Sequence, residues 1–217
     1  MLIIFDLDDT LIDTSGAITP HKLKEAVLFL LERESKFDIE LEYAKLSEIN
    51  SRSLKTPHAI EEYGTLKGAS KEKITKAISF LSEPLPLEFT VPCTPFAKEI
   101  LKYYAERYKL ALVTGGHPPF QLEKLKKAGI EPSLFSKIAI PEDSIKKPFY
   151  SDFAKELGVH PSEVWVCGDR IPMDLKPAYE LGFKTIHMKW GRGKQFKNEP
   201  WIDFSISTLS ELKDIIP

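Results

Sequence analysis

Short apolar runs set between longer amphipathic stretches dominate the chain. Residues 2–5, 109–113, 137–140, 164–167 and 184–188 show little polar alternation, the pattern of strands covered on both faces, and a last strand is expected near 204–206. Between them, apolar residues return at helical spacing over 96–104, 120–128, 148–157 and 175–181, and a final helix is expected over 208–216. Gly129, Gly158 and Gly182 stand where three of these helices stop. Strand and helix in alternation predict an α/β fold, a Rossmann-like, mainly parallel sheet with helices on both faces.

Residues 17–82 break that rhythm. Thr19-Pro20 and Thr56-Pro57 read as helix starts, and Ser70 as an N-cap. Leu23, Ala26, Val27, Leu30 and Leu31 form one stripe, and Ile74, Ala77, Ile78 and Leu81 another. A helix is expected over 41–49 with Ala44 in its stripe. Pro84, Pro86 and Pro92 then mark a stiff connector. The expected organisation is an α/β core formed by 1–15 and 91–217, with 16–90 inserted as a small all-helical domain.

Composition narrows the class. The 217 residues are 42% hydrophobic and 29% charged, with a formal net charge of −2, which argues against a nucleic-acid binder. Lys189-Trp190-Gly191-Arg192-Gly193-Lys194-Gln195-Phe196-Lys197 mixes bases with aromatics, but it is short and local, and reads as a loop at the mouth of a site. Cys93 and Cys167 match no metal spacing and are expected as reduced thiols. The N-terminus has no basic leader pattern, and no apolar run approaches membrane-spanning length. A soluble, cytoplasmic protein is expected, without a membrane or nucleic-acid partner; oligomeric state is not legible.

The chemistry gathers where the first strand ends. Asp6, Asp8 and Asp9 fall within four residues after the apolar run, where open α/β sheets keep their ligand sites. Clustered carboxylates repel one another, and a hard cation such as Mg2+ would neutralise them. An acidic turn, with Asp9 or Thr10 capping a helix, accounts for the same residues equally well.

Partner segments break the tie. Phe5-Asp6-Leu7-Asp8-Asp9-Thr10-Leu11 resembles the first motif, Asp-x-Asp-x-Thr, of the haloacid dehalogenase superfamily. Thr114-Gly115-Gly116, after the second strand, resembles the family's second motif. Lys146-Lys147-Pro148 before a helix carrying Phe153 resembles the third, and the Lys-Pro match selects Lys147 over Lys146. Gly168-Asp169, with Asp174 five residues on, resembles the fourth. Four motifs in order, each at a strand end or strand-to-helix junction, are specific together though weak apart. The resemblance covers 1–15 and 91–210; the helical insert matches the family's cap domain only in position and size.

The resemblance implies a Mg2+-dependent phosphatase acting on a small phosphorylated metabolite. Asp6 would be the nucleophile that becomes an aspartyl-phosphate, and Asp8 the general acid/base with a raised pKa. Thr114, Gly115 and Lys147 would hold the phosphoryl group. Asp6, Asp8 (through its backbone carbonyl) and Asp169 would hold the metal, with Asp174 acting from behind, through water or by orienting the lysine. Asp8 speaks against a dehalogenase, because a displaced halide needs no proton. No lysine of the insert stands out as the Schiff-base residue a phosphonatase would need. A phosphosugar mutase, or a silent phospho-ligand binding protein, is the alternative. Substrate choice is expected in the insert and in the loop after Thr10; Arg52, in a polar stretch between helices, is the candidate substrate contact.

Overall fold

A computed structural model describes residues 1–32, 36–53, 55–197 and 199–217. The chain divides into two compact units, Met1–Ser15 with Pro86–Pro217, and Gly16–Leu85.

Among the described residues the larger unit holds six parallel strands: β1 (Leu2–Phe5), β2 (Lys109–Val113), β3 (Lys137–Ala139), β4 (Val164–Gly168), β5 (Lys184–Met188) and β6 (Phe204–Ile206). Their order across the sheet is β3-β2-β1-β4-β5-β6. β1 is therefore central, and the chain winds outward from it first to one side and then to the other. The crevice at such a reversal, beyond the C-terminal strand ends, is where doubly wound sheets bind ligands. Phe5 is in register with Leu112 on one side and Cys167 on the other. The polar residues that follow these three strands consequently start at one level.

The strands lie inside because their side chains are apolar on both faces. Leu2, Ile4, Ala111, Val113, Val164 and Val166 pack with Tyr150, Phe153, Leu175 and Phe183 in one cluster. Ile3, Phe5, Leu110 and Leu112 are also buried, as is Tyr104, whose hydroxyl donates to the Leu212 carbonyl at 2.8 Å.

In the smaller unit, α1 (Thr19–Leu31), α2 (Ile39–Arg52), α3 (Thr56–Leu66) and α4 (Lys71–Ser79) enclose their own core. The larger unit adds α5 (Ala97–Ala105), α6 (Pro118–Lys127), α7 (Lys147–Glu156), α8 (Lys176–Tyr179) and α9 (Leu212–Ile215).

Several expectations need correction. Wide helical turns occupy Thr14–Ile18, where a hinge or loop was expected, and Ile171–Leu175; α8, Lys176–Tyr179, is shorter than the expected 175–181 helix. The expected C-terminal helix is a tight turn, Leu209–Glu211, followed by α9. Thr19 and Thr56 are first helical residues and do not cap their helices, whereas Ser70 does accept the Lys73 N–H.

The stripe of α2 is displaced: Ala44 is exposed, and the buried positions are Glu42, Leu46, Ile49 and Asn50. Glu42 can go inside because it is surrounded by donors. Tyr63 Oη lies at 2.6 Å, Lys45 Nζ at 2.8 Å and Lys67 Nζ at 2.6 Å. Burial acts to raise its pKa, but the hydrogen bonds from Lys45, Lys67 and Tyr63, with the Lys67 charge, overcome it and bring it down from 4.5 to about 2.

A depressed carboxyl pKa contributes stability above the unfolded-state value, and the contribution disappears as the pH falls towards the folded-state value. Glu42→Gln is expected to lower stability at pH 7 by about 1–2 kcal/mol, allowing for the half-exposed Lys45. The gap between variant and wild type should close between pH 4.5 and about 2 in thermal denaturation. A pH-independent gap would mean that Glu42 stabilises by packing alone.

Candidate active site

The site residues belong to the α/β unit and rise from the ends of its three central strands. Asp6 directly follows β1, and its N–H donates to the Cys167 carbonyl at 3.0 Å, which continues the ladder one residue into the motif. Thr114 follows β2, and its N–H donates to the Ala139 carbonyl. Asp169 follows β4. Asp6, Thr114, Asp169 and Asp174 are all buried.

Asp6, Asp169 and Asp174 each bring a carboxylate oxygen within 4.8 Å of the others. One buried ammonium sits among them. Lys146 Nζ lies 2.6 Å from Asp6 Oδ1 and 2.6 Å from Asp174 Oδ1. The second Asp174 oxygen accepts the Arg170 N–H at 2.8 Å. Gly168 makes this approach possible, since a Cβ there would stand 2.5 Å from the Asp174 Cβ.

The motif lysine therefore needs correcting. Lys147, chosen by the Lys-Pro match, is the first residue of α7; its side chain is 45% exposed and pairs with Glu180 at 2.7 Å. Lys146, one residue earlier, is 4% exposed and occupies the carboxylate cluster. Successive residues at a helix start project in different directions, so only one of two adjacent lysines can reach the strand ends. The Lys-Pro spacing carries no information about which.

The electrostatics follow from three carboxylates sharing one ammonium. Burial, then the charges of Asp174 and Asp8, push Asp6 up to about 7 against the pull of Lys146. Asp169 is raised well above its ordinary value by burial and by Asp174 and Asp6. Lys146 would be lowered by burial, but Asp174 and Asp6 raise it instead. Among the described residues the Asp169 carboxylate accepts no side-chain hydrogen bond. An under-compensated, oxygen-only donor set of this kind fits a hard divalent cation.

Asp8 stands apart from that cluster. Its Oδ1 accepts Thr14 Oγ1 at 2.5 Å and Lys124 Nζ at 2.8 Å, and its Oδ2 accepts Gln121 Nε2 at 2.8 Å. Burial alone would raise its pKa, but the Lys124 charge and the bonds from Gln121, Lys124 and Thr14 outweigh it, and the pKa is lowered. The expected direction was upward. Neither Gln121 nor Lys124 was singled out from the sequence. The available signal was a polar pair three apart on the inner face of the helix that follows the glycines.

Asp9 adopts a left-handed backbone, φ 56°, and its carboxylate accepts the Ser15 N–H at 2.7 Å. The 189–197 loop packs directly against this turn. Trp190 Nε1 donates to Asp13 at 2.9 Å, and a Cβ on Gly191 would collide with the Asp9 carboxylate. Arg52 belongs to the helical unit, 59% exposed and paired with Glu62.

Comparison with known proteins shows the family. The family described as haloacid dehalogenase-like hydrolase matches residues 1–182. The chain belongs to that family. The glyceraldehyde 3-phosphate phosphatase of Methanocaldococcus jannaschii is 28% identical, over 99% of this chain and 96% of that protein. The N-acylneuraminate-9-phosphatase of Rattus norvegicus is 27% identical, over 99% and 92%. The HAD-hydrolase YfnB from Bacillus subtilis, solved bound to magnesium, shares the fold with a TM-score of 0.71 at 19% identity, over 99% of this chain and 97% of that one. Within its family the chain is a phosphatase. Among the described residues no helix is long and apolar enough to cross a membrane.

The two adjacent lysines offer a direct check. Lys146→Met should lower kcat/KM for phosphate release about 10²–10³-fold, the usual cost of removing one preorganised charge partner. Lys147→Met should stay within about twofold of wild type, as exposed substitutions do. The reverse ranking, in variants with native circular dichroism, would return the motif role to Lys147.

Proposed function

We propose that this phosphatase hydrolyses a phosphomonoester of a small metabolite through a covalent phosphoryl-Asp6 intermediate, with Mg2+ as cofactor. The observation that carries the reading is the buried Asp6 carboxylate at the end of the central strand, 2.6 Å from Lys146 and grouped with Asp169 and Asp174.

Asp6 and Asp169, with the Asp8 backbone carbonyl, would hold the metal, and Asp174 orients Lys146 from behind. The ion would supply charge neutralisation at the phosphoryl oxygens and keep Asp6 ionised at neutral pH. In the same region the Thr114 hydroxyl, the Gly115 N–H and the Lys146 ammonium donate to the equatorial oxygens.

The reaction has two steps. Asp6 attacks phosphorus in line, the ester P–O bond breaks, and Asp8 gives a proton to the departing alkoxide. Water then attacks the acyl-phosphate, Asp8 takes the water's proton, and inorganic phosphate leaves Asp6 free. The carboxylate form that Lys124 favours suits the second step. For the first step Asp8 must be neutral, and the negative charge of an arriving phosphate raises a neighbouring carboxyl pKa.

The relatives' names guide the substrate class. Glyceraldehyde 3-phosphate and N-acylneuraminate 9-phosphate are both monoesters of a primary alcohol on a hydroxylated chain. The proposed substrate belongs to that class, and the helical unit is the proposed source of selectivity.

Phosphate release should be followed across a panel that includes both esters, sugar phosphates, phosphoglycolate and nucleoside monophosphates. Release from a few members, abolished by chelator and restored by Mg2+, is expected, with Asp6→Asn inactive. Turnover that survives chelation, or that persists in Asp6→Asn, would refute the reading.

A further inference from the structure

We propose that Gln121 and Lys124 of α6 are positioning residues that hold the Asp8 carboxylate, and that Gln121 ties it to the phosphoryl-binding end of β2. The proposal rests on the acid/base role of Asp8 given above, and assigns work to two residues outside the four motifs.

Gln121 and Lys124 lie three apart and share one helix face. Both are buried, on a helix whose other lysines are not. Burying an ammonium is costly unless a counter-charge meets it. Lys124 Nζ finds the Phe120 ring face, 4.8 Å from its centroid, and Asp8 Oδ1 at 2.8 Å.

Gln121 does more than fill space. Its amide nitrogen lies 2.8 Å from Asp8 Oδ2, 2.5 Å from Thr114 Oγ1 and 3.2 Å from the Gly115 carbonyl. A carboxylate and a carbonyl can only accept, so the amide must present its N–H groups to this cluster. Receiving a hydrogen bond from Gln121, the Thr114 hydroxyl keeps its own proton free to donate to a phosphoryl oxygen.

With Thr14, three donors from two segments fix the Asp8 side chain. A structural ion pair could be severed with loss of stability alone. Donors that aim the acid/base group must also affect the step that needs proton transfer.

Leaving-group dependence separates the two cases. A p-nitrophenolate departs without a proton, whereas phenolate and alkoxide need one increasingly. Full-length wild type, Gln121→Leu, Lys124→Met, Asp8→Asn and the double variants are assayed with p-nitrophenyl phosphate, phenyl phosphate and glyceraldehyde 3-phosphate. Each single helix substitution should lower kcat/KM, which reports the phosphoryl transfer to Asp6, for the poor leaving groups by about 10–10²-fold, within the range general acid catalysis supplies. On the same measure p-nitrophenyl phosphate should be affected least. In the Asp8→Asn background Lys124→Met should add less than about threefold, because it acts through Asp8.

Lys124→Arg, which keeps the charge but alters its reach, should show a smaller loss of the same pattern, and covers the case in which Lys124→Met does not fold. Equal losses of kcat/KM on all three esters, or losses of Lys124→Met and Asp8→Asn that multiply, would overturn the positioning role. Wild-type turnover in Asp8→Asn would instead overturn the acid/base reading beneath it.

Discussion

Asp6, Asp169, Asp174 and Lys146 are four buried ionisable groups at one end of a parallel sheet, and their mutual compensation is the constraint on which the site depends. An isolated buried charge costs several kcal/mol, so Asp6, Asp174 and Lys146 are tolerable there only together. Asp174 is the residue that binds the set together, with one oxygen on Lys146 and the other on the Arg170 N–H. The three acids still outnumber the one lysine. That imbalance fits a divalent cation, which would in turn offset the charge of the proposed phosphoryl group.

The fold serves this arrangement through register and backbone. Three adjacent strands end level, so side chains far apart in sequence meet without long loops. A second set of groups is organised around Asp8, where helix α6 reaches across to the first loop. The carboxylate proposed to attack and the carboxylate proposed to move protons are thus held by different partners: Lys146 for Asp6, Lys124 for Asp8. The two acids shift in opposite directions: burial and the charges of Asp174 and Asp8 carry Asp6 upward despite Lys146, whereas Lys124, Gln121 and Thr14 bring Asp8 down against burial.

Much of this was legible in the chain. Continuous apolar runs ending in Asp6, Thr114 and Asp169 carry both the parallel sheet and the level at which its chemistry starts. What stayed hidden is directional. Lys146 and Lys147 are chemically identical neighbours, and only the angle at which α7 leaves the loop decides which is buried. In α2, the presence of an alanine at 44 suggested the wrong face, because a glutamate inside is tolerable only when Tyr63, Lys45 and Lys67 converge on it from other turns and another helix. Gln121 and Lys124 look like ordinary polar residues of a basic helix; their burial depends on a partner more than a hundred residues away.

The central claim is that Asp6 carries the phosphoryl group between the two steps. It is tested most directly by acid-quenching the enzyme during turnover, reducing the acyl-phosphate with borohydride and sequencing the peptides by mass spectrometry. The account predicts homoserine at position 6, formed only when substrate and Mg2+ are both present. Homoserine at Asp8 or Asp169, or none at any position during steady turnover, would contradict it.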